Sequence, residues 1–123
     1  MMGPPVETGT RLHRIEHAVL ALALAGLLGW LVFVVRATDA WRALAWLVAP
    51  DLVFIPILVA SRSRGGRWPA WGAALYNAAH TYASMLPGWI GASLVAGHVV
   101  WPMLAWALHV EIDRALGFDL RRM

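Results

Sequence analysis

Four ionisable residues stand inside otherwise apolar stretches of this 123-residue chain, Asp51, His80, His109 and Asp113, with Asn77 three places before His80. Each ionisable group near the centre of a bilayer costs about 2.5 to 3.5 kcal/mol on insertion scales, so a chain that keeps several needs a use for them. Two chemistries fit. Imidazole with carboxylate is the ligand set of zinc and non-haem iron sites with open positions, and His109 and Asp113, spaced i, i+4, can grip one divalent ion from a single helix face. Without a metal, the same groups suit general acid and base work on an apolar substrate, because a low-dielectric pocket shifts their protonation equilibria. No HExxH is present, and the only HxxxH is His13 with His17, at the edge of the first apolar stretch. Two readings need no catalysis. The polar groups can satisfy one another between helices, in an accessory or assembly subunit, or they can relay protons in a small carrier.

The elements that must position these residues are long apolar runs. Residues 15–35 form a first transmembrane helix, with no polar residue after His17, longer than the apolar core of a cleaved signal. Residues 40–60 form a second, interrupted by Pro50, Asp51 and Pro56. The polar stretch SRSRGGRW is a loop. Residues 68–96 are too long for a straight span, and Pro87-Gly88 predicts a break. Residues 98–116 form the last span, with Pro102 in its first turn and Gly117 at its C-cap. At about 1.5 Å of rise per residue, Asp51 and His80 lie roughly 13 to 17 Å in from the cytoplasmic ends, with His109 slightly shallower. Four helices can then point them at one another. Asn77, His80, Thr81 and Ser84 fall at i, i+3, i+4 and i+7 and would share one face. Glu16 and Arg114 are assigned to the rim of the cluster, near His17 and Asp113, with Glu111 turned away and pairing Arg114 at i+3. Trp46, Phe54, Tyr76, Tyr82 and Trp106 are candidates to line a pocket beside it. His13 and His17 read as a headgroup-facing stripe, and Ala21, Ala25 and Gly29 as a small-residue packing face.

Composition agrees with a membrane chain: 60% of residues are apolar, 14% are charged and the mean hydropathy is +0.62. Cysteine is absent, which excludes disulfides, thiolate catalysis and Cys-ligated metal. All ten basic residues are Arg. That bias, with abundant Ala, Leu, Gly and Trp, fits a GC-rich bacterial genome and so a bacterial inner membrane. Arg11, Arg14, Arg62, Arg64, Arg67, Arg114, Arg121 and Arg122 fall on one side of a four-span topology, against Arg36 and Arg42 on the other. The positive-inside bias therefore places both termini and the central loop in the cytoplasm. Topology and anionic headgroups account for the net charge of +3 without a nucleic-acid partner.

At this point the chain resembles a family, the membrane proteins grouped as domain of unknown function 4260. The matching pieces are the Glu of RIEH, APDL in the second span, YNAAHTY with a following Pro, and HVEIDRALGFDL. They comprise Glu16, Pro50, Asp51, Tyr76, Asn77, His80, Tyr82, Pro87, His109, Asp113, Arg114, Ala115, Leu116, Gly117 and Leu120. The resemblance runs from about residue 12 to 121 and implies a four-helix membrane protein with no established activity. Glu111 departs from the pattern, where a small residue is expected, as does Asp119, where glycine or an aromatic is commoner.

The expectation is thus an all-α integral membrane bundle of four transmembrane helices: a lead over residues 1–13 without regular structure, the bundle over 14–117 and a short cytoplasmic tail over 118–123. Its partners are the bilayer and a lipid-soluble small molecule, with a second copy or a membrane-complex subunit left open. Asp51, Asn77, His80, His109 and Asp113 are the catalytic candidates of an intramembrane enzyme, and His80, His109, Asp51 and Asp113 the candidate ligands of a divalent metal.

Overall fold

The computed structural model describes residues 7–118, and all regular structure among them is helical. The described residues form six α-helices: α1 Glu7–Trp30, α2 Ala40–Val48, α3 Phe54–Ser61, α4 Ala70–Ala79, α5 Tyr82–Ala96 and α6 Leu104–Leu116. Helix α1 begins at Glu7, inside the stretch expected to be an irregular lead, and continues through a π-helical turn at Leu31–Val35. A short 3-10 helix, Ala49–Val53, joins α2 to α3 without interrupting the rod. Two of the resulting helices, Arg11–Val35 and Ala40–Arg64, are long and apolar enough to cross a membrane. The third and fourth expected spans are built from shorter pieces. Residues 1–6 and most of the expected tail, including Asp119, Leu120, Arg121 and Arg122, lie outside the described residues.

Helix α6 is the axis of the molecule. Leu104, Ala105, Ala107, Leu108, His109, Val110 and Glu111 are all buried along it, a wrap-around pattern expected of a helix enclosed by neighbours. Helix α1 lies along its length, α2 packs on a second side and α5 on a third. Leu28 and Leu31 of the first rod meet Leu104, Ala105 and Leu108, with Ala21, Leu24, Trp46 and Leu47 packed around them. The packing face of α1 is thus Ala21, Leu24, Leu28 and Leu31, one residue every three or four. It is not the expected stripe of Ala21, Ala25 and Gly29, since Ala25 is exposed and nothing lies within 4 Å of a side chain added at Gly29. Leucines filling the groove bury more area there than small residues would.

The break expected at Pro87-Gly88 occurs instead between His80 and Thr81. Thr81 adopts an extended backbone and its hydroxyl accepts the N–H of Ala83, so it caps a new helix. Ser84 therefore belongs to a different helix from Asn77, and the four-residue face expected over 77–84 does not exist. Pro87 sits inside α5, where it withholds a donor only from the carbonyl of Ala83, in the first turn. At the other end of the chain α6 closes on Gly117, whose φ of +93° favours a residue without Cβ. The N–H of Phe118 then reaches back to the carbonyl of Asp113 at 2.8 Å.

Candidate metal centre

Asp51, His80, His109 and Asp113 come from three separate elements and offer four ligand atoms that lie within 4.8 Å of one another. His80 Nε2 is 3.2 Å from Asp51 Oδ1 and 3.6 Å from Asp113 Oδ2. His109 Nε2 is 3.2 Å from Asp51 Oδ1 and 3.3 Å from Asp113 Oδ2. Donor atoms held about 2.0 to 2.1 Å from a tetrahedral ion stand about 3.3 to 3.4 Å apart, and these four contacts bracket that edge.

The far nitrogens of both rings fix what the near ones can do. His80 Nδ1 donates to the carbonyl of Tyr76 at 2.8 Å, and His109 Nδ1 donates to the carbonyl of Leu47 at 2.7 Å. A carbonyl can only accept, so each Nδ1 carries the proton. Each Nε2 is thereby aimed at the carboxylates, and offers them a bare lone pair wherever the ring is neutral. His109 Nε2 is buried and has no hydrogen-bond partner among the described residues. Two imidazole nitrogens facing two carboxylates at these distances call for positive charge between them, which a divalent cation bound by neutral rings supplies while neutralising both acids, as do protons on the two Nε2 atoms. Imidazoles oriented through the other ring nitrogen by main-chain oxygens are the usual support of metal-ligating histidines.

Local sequence explains why those carbonyls are free. Where a helix tightens to i→i+3 pairing, the donor to Leu47 is residue 50, and Pro50 has no N–H. At the end of α4 the same tightening occurs. The N–H of His80 goes to Asn77 at 3.2 Å instead of to Tyr76, and the ring of His80 takes the carbonyl left behind. The next orphan carbonyls of α4 are capped from α6: Trp106 Nε1 donates to Ala79 at 2.6 Å and Arg114 to His80 at 2.9 Å. Arg114, expected at the rim, thus holds the main chain of a ligand in place. Asn77 is half-buried one turn before His80 and supports it through its backbone.

Tyr76 stacks on the His80 ring with centroids 4.0 Å apart, and Phe54 stands edge-on to the same ring. Trp46 and Trp106 stack on each other and, with Ala49, Pro50 and Ala79, line a cavity of about 150 Å³. Of the five aromatics expected around a pocket, these two do line one, and Phe54 and Tyr76 brace the ligand. Tyr82 belongs elsewhere. His80 is 3% exposed, whereas the side chain of Asp51 is 51% exposed, so the centre is open at one ligand.

Glu16 is exposed on α1 and does not join the cluster. Glu111, expected as a rim partner of Arg114, is only 2% exposed. One of its oxygens accepts from Tyr82 Oη at 2.6 Å and the other from His17 Nδ1. His17 is accordingly an inward-facing partner and not a member of a headgroup stripe. This second polar knot ties α1 and α5 to α6. Its signal in the sequence is an acid within a helix that is buried on every side, a burial the apolar period alone does not reveal.

A family model described as Domain of unknown function (DUF4260) matches residues 10–123. Neither the curated proteins nor the solved structures contain a match to the chain.

Proposed function

The chain belongs to the family of that domain of unknown function, and since that description carries no activity to inherit, we propose a function from the site alone: a membrane-embedded enzyme with one divalent metal ion held by His80, His109, Asp51 and Asp113. The carrying observation is the pair of Nε2 atoms, each with its other nitrogen committed to a main-chain carbonyl, converging on two carboxylates. Two imidazoles and two carboxylates suit zinc or iron(II). A structural site is filled by four protein ligands, whereas a catalytic one keeps or opens a position for water or substrate, at times by expanding to five-coordinate. The half-exposed Asp51 supports the second kind, since it is the ligand that an incoming molecule can reach and displace or join. An ion held there by His80, His109, Asp51 and Asp113 would supply Lewis-acid chemistry, polarising a substrate oxygen or lowering the pKa of a bound water.

The membrane setting rests on packing. In the two long apolar helices only 11% of the most apolar window is buried inside the molecule, where a core helix of a soluble bundle is mostly enclosed. Leu94, Val95 and Phe33 face outward at the periphery, as lipid-facing side chains do. In this reading the α4–α5 and α6 segments complete a four-span bundle in a bacterial inner membrane, with both termini inside, and the substrate is a lipid-soluble small molecule.

Elemental analysis of protein purified in detergent without chelators tests the proposal. One equivalent of zinc or iron is expected, with less than a tenth of it remaining in His80→Ala and in His109→Ala. Wild-type protein that neither carries nor takes up a divalent metal would sink it, and leave the mutually paired side chains of an accessory subunit.

A further inference from the structure

The cavity lined by Trp46, Ala49, Pro50, Ala79 and Trp106 borders all three elements that carry the metal ligands. Pro50 precedes Asp51, Ala79 precedes His80, and Trp106 lies one turn before His109. Its walls are indole faces, a proline ring and two alanine methyls, and the indole N–H of Trp106 is already given to Ala79. An apolar recess of about 150 Å³, open on one side, has room for a guest of about benzene size with the rest of the molecule projecting out of it. We infer that this cavity seats the hydrocarbon part of the substrate, a segment of about six carbons whose attached oxygen function reaches the ion. The inference rests on the metal reading and goes beyond it by naming the substrate class: an oxygenated lipid-soluble molecule with an alkyl chain or a small ring next to the reacting group, in place of a water-soluble or strongly polar one.

Alkyl hydroxamates are suitable probes, since a constant metal-binding head carries a tail of chosen length. Hexanohydroxamate is expected to bind the metal-loaded protein about tenfold tighter than acetohydroxamate, or more, because each methylene buried adds several-fold. Ala49→Leu fills the cavity and is expected to abolish that gain while metal content and acetohydroxamate affinity stay unchanged. Trp46→Ala enlarges it and is expected to move the tail length of best affinity upward. Detergent takes up a given tail equally for all three proteins, so the comparison between proteins decides. A wild-type protein indifferent to tail length, or an Ala49→Leu protein that keeps the full gain, overturns the inference and leaves the metal centre standing. If Ala49→Leu loses its metal, Trp46→Ala decides alone, and an unmoved optimum overturns the inference. Protein that holds no metal removes both.

Discussion

Asp51 and Asp113 each bridge toward both imidazoles, so the two carboxylates are not equivalent to spare charges. Asp113→Asn keeps the shape but removes one negative charge and one anionic ligand atom, and a loss of metal affinity of at least tenfold is expected by competition with a chelator. Because the imidazoles ligate only when unprotonated, metal content is expected to fall on acidification, which elemental analysis of loaded protein dialysed across a pH series checks. Glu111 makes a separate prediction. Glu111→Ala leaves Tyr82 Oη and His17 Nδ1 without their partner in a buried place, and a loss of about 2 to 4 kcal/mol is expected from thermal unfolding, with the metal content unchanged. The sequence made the four ligands legible because costly groups stood in apolar runs. It placed Glu111 at the rim because i, i+3 spacing to Arg114 offered a local partner, while His17 and Tyr82, whose hydrogen bonds accompany its burial, are distant in sequence.

The helices hold the ligands through their irregularities. Pro50 frees the carbonyl that orients His109, and the broken end of α4 frees the one that orients His80. Pro50→Ala returns an N–H to that turn, which then competes for the helix carbonyls. The helix is expected to regularise and metal affinity to fall about ten- to a hundredfold, the range seen when outer-shell partners of a metal site are lost, with circular dichroism unchanged. Thr81→Ala removes the cap of α5 at a cost of about 1 kcal/mol, which Thr81→Ser restores, as denaturation in a mild detergent will show. Prolines advertise themselves, so an irregularity around Pro50 was expected from the sequence, although it is a 3-10 stretch within a continuous rod and not an interruption. The interruption at His80 and Thr81 was not. A threonine cap inside a continuous apolar run competes with an equally plausible unbroken helix, and only the neighbouring helix, through Trp106 and Arg114, tips the balance.

At the level of the whole molecule, the absence of cysteine makes topology directly measurable, since any introduced cysteine is the only one. With four spans, a cysteine at Ser63 is labelled only after the inner face is opened, and cysteines at Ala37 and His98 react from outside in intact cells. A different pattern contradicts the four-span arrangement. The all-helical class was legible from apolar run lengths, whereas the central place of α6 was not, because burial on every side has no period of its own. The 3-10 stretch at residues 49–53 and the gap between α4 and α5 are brought to the same level, that of the metal ligands. Helices α3 and α4 thus form an arm that leaves the bundle through a 3-10 stretch at one end and a helix break at the other, and one ion would rivet both. Chelation should then loosen the arm's angle without unfolding it, and spin labels at Val59 and Val95 would report a broad spread of distances that narrows when metal returns.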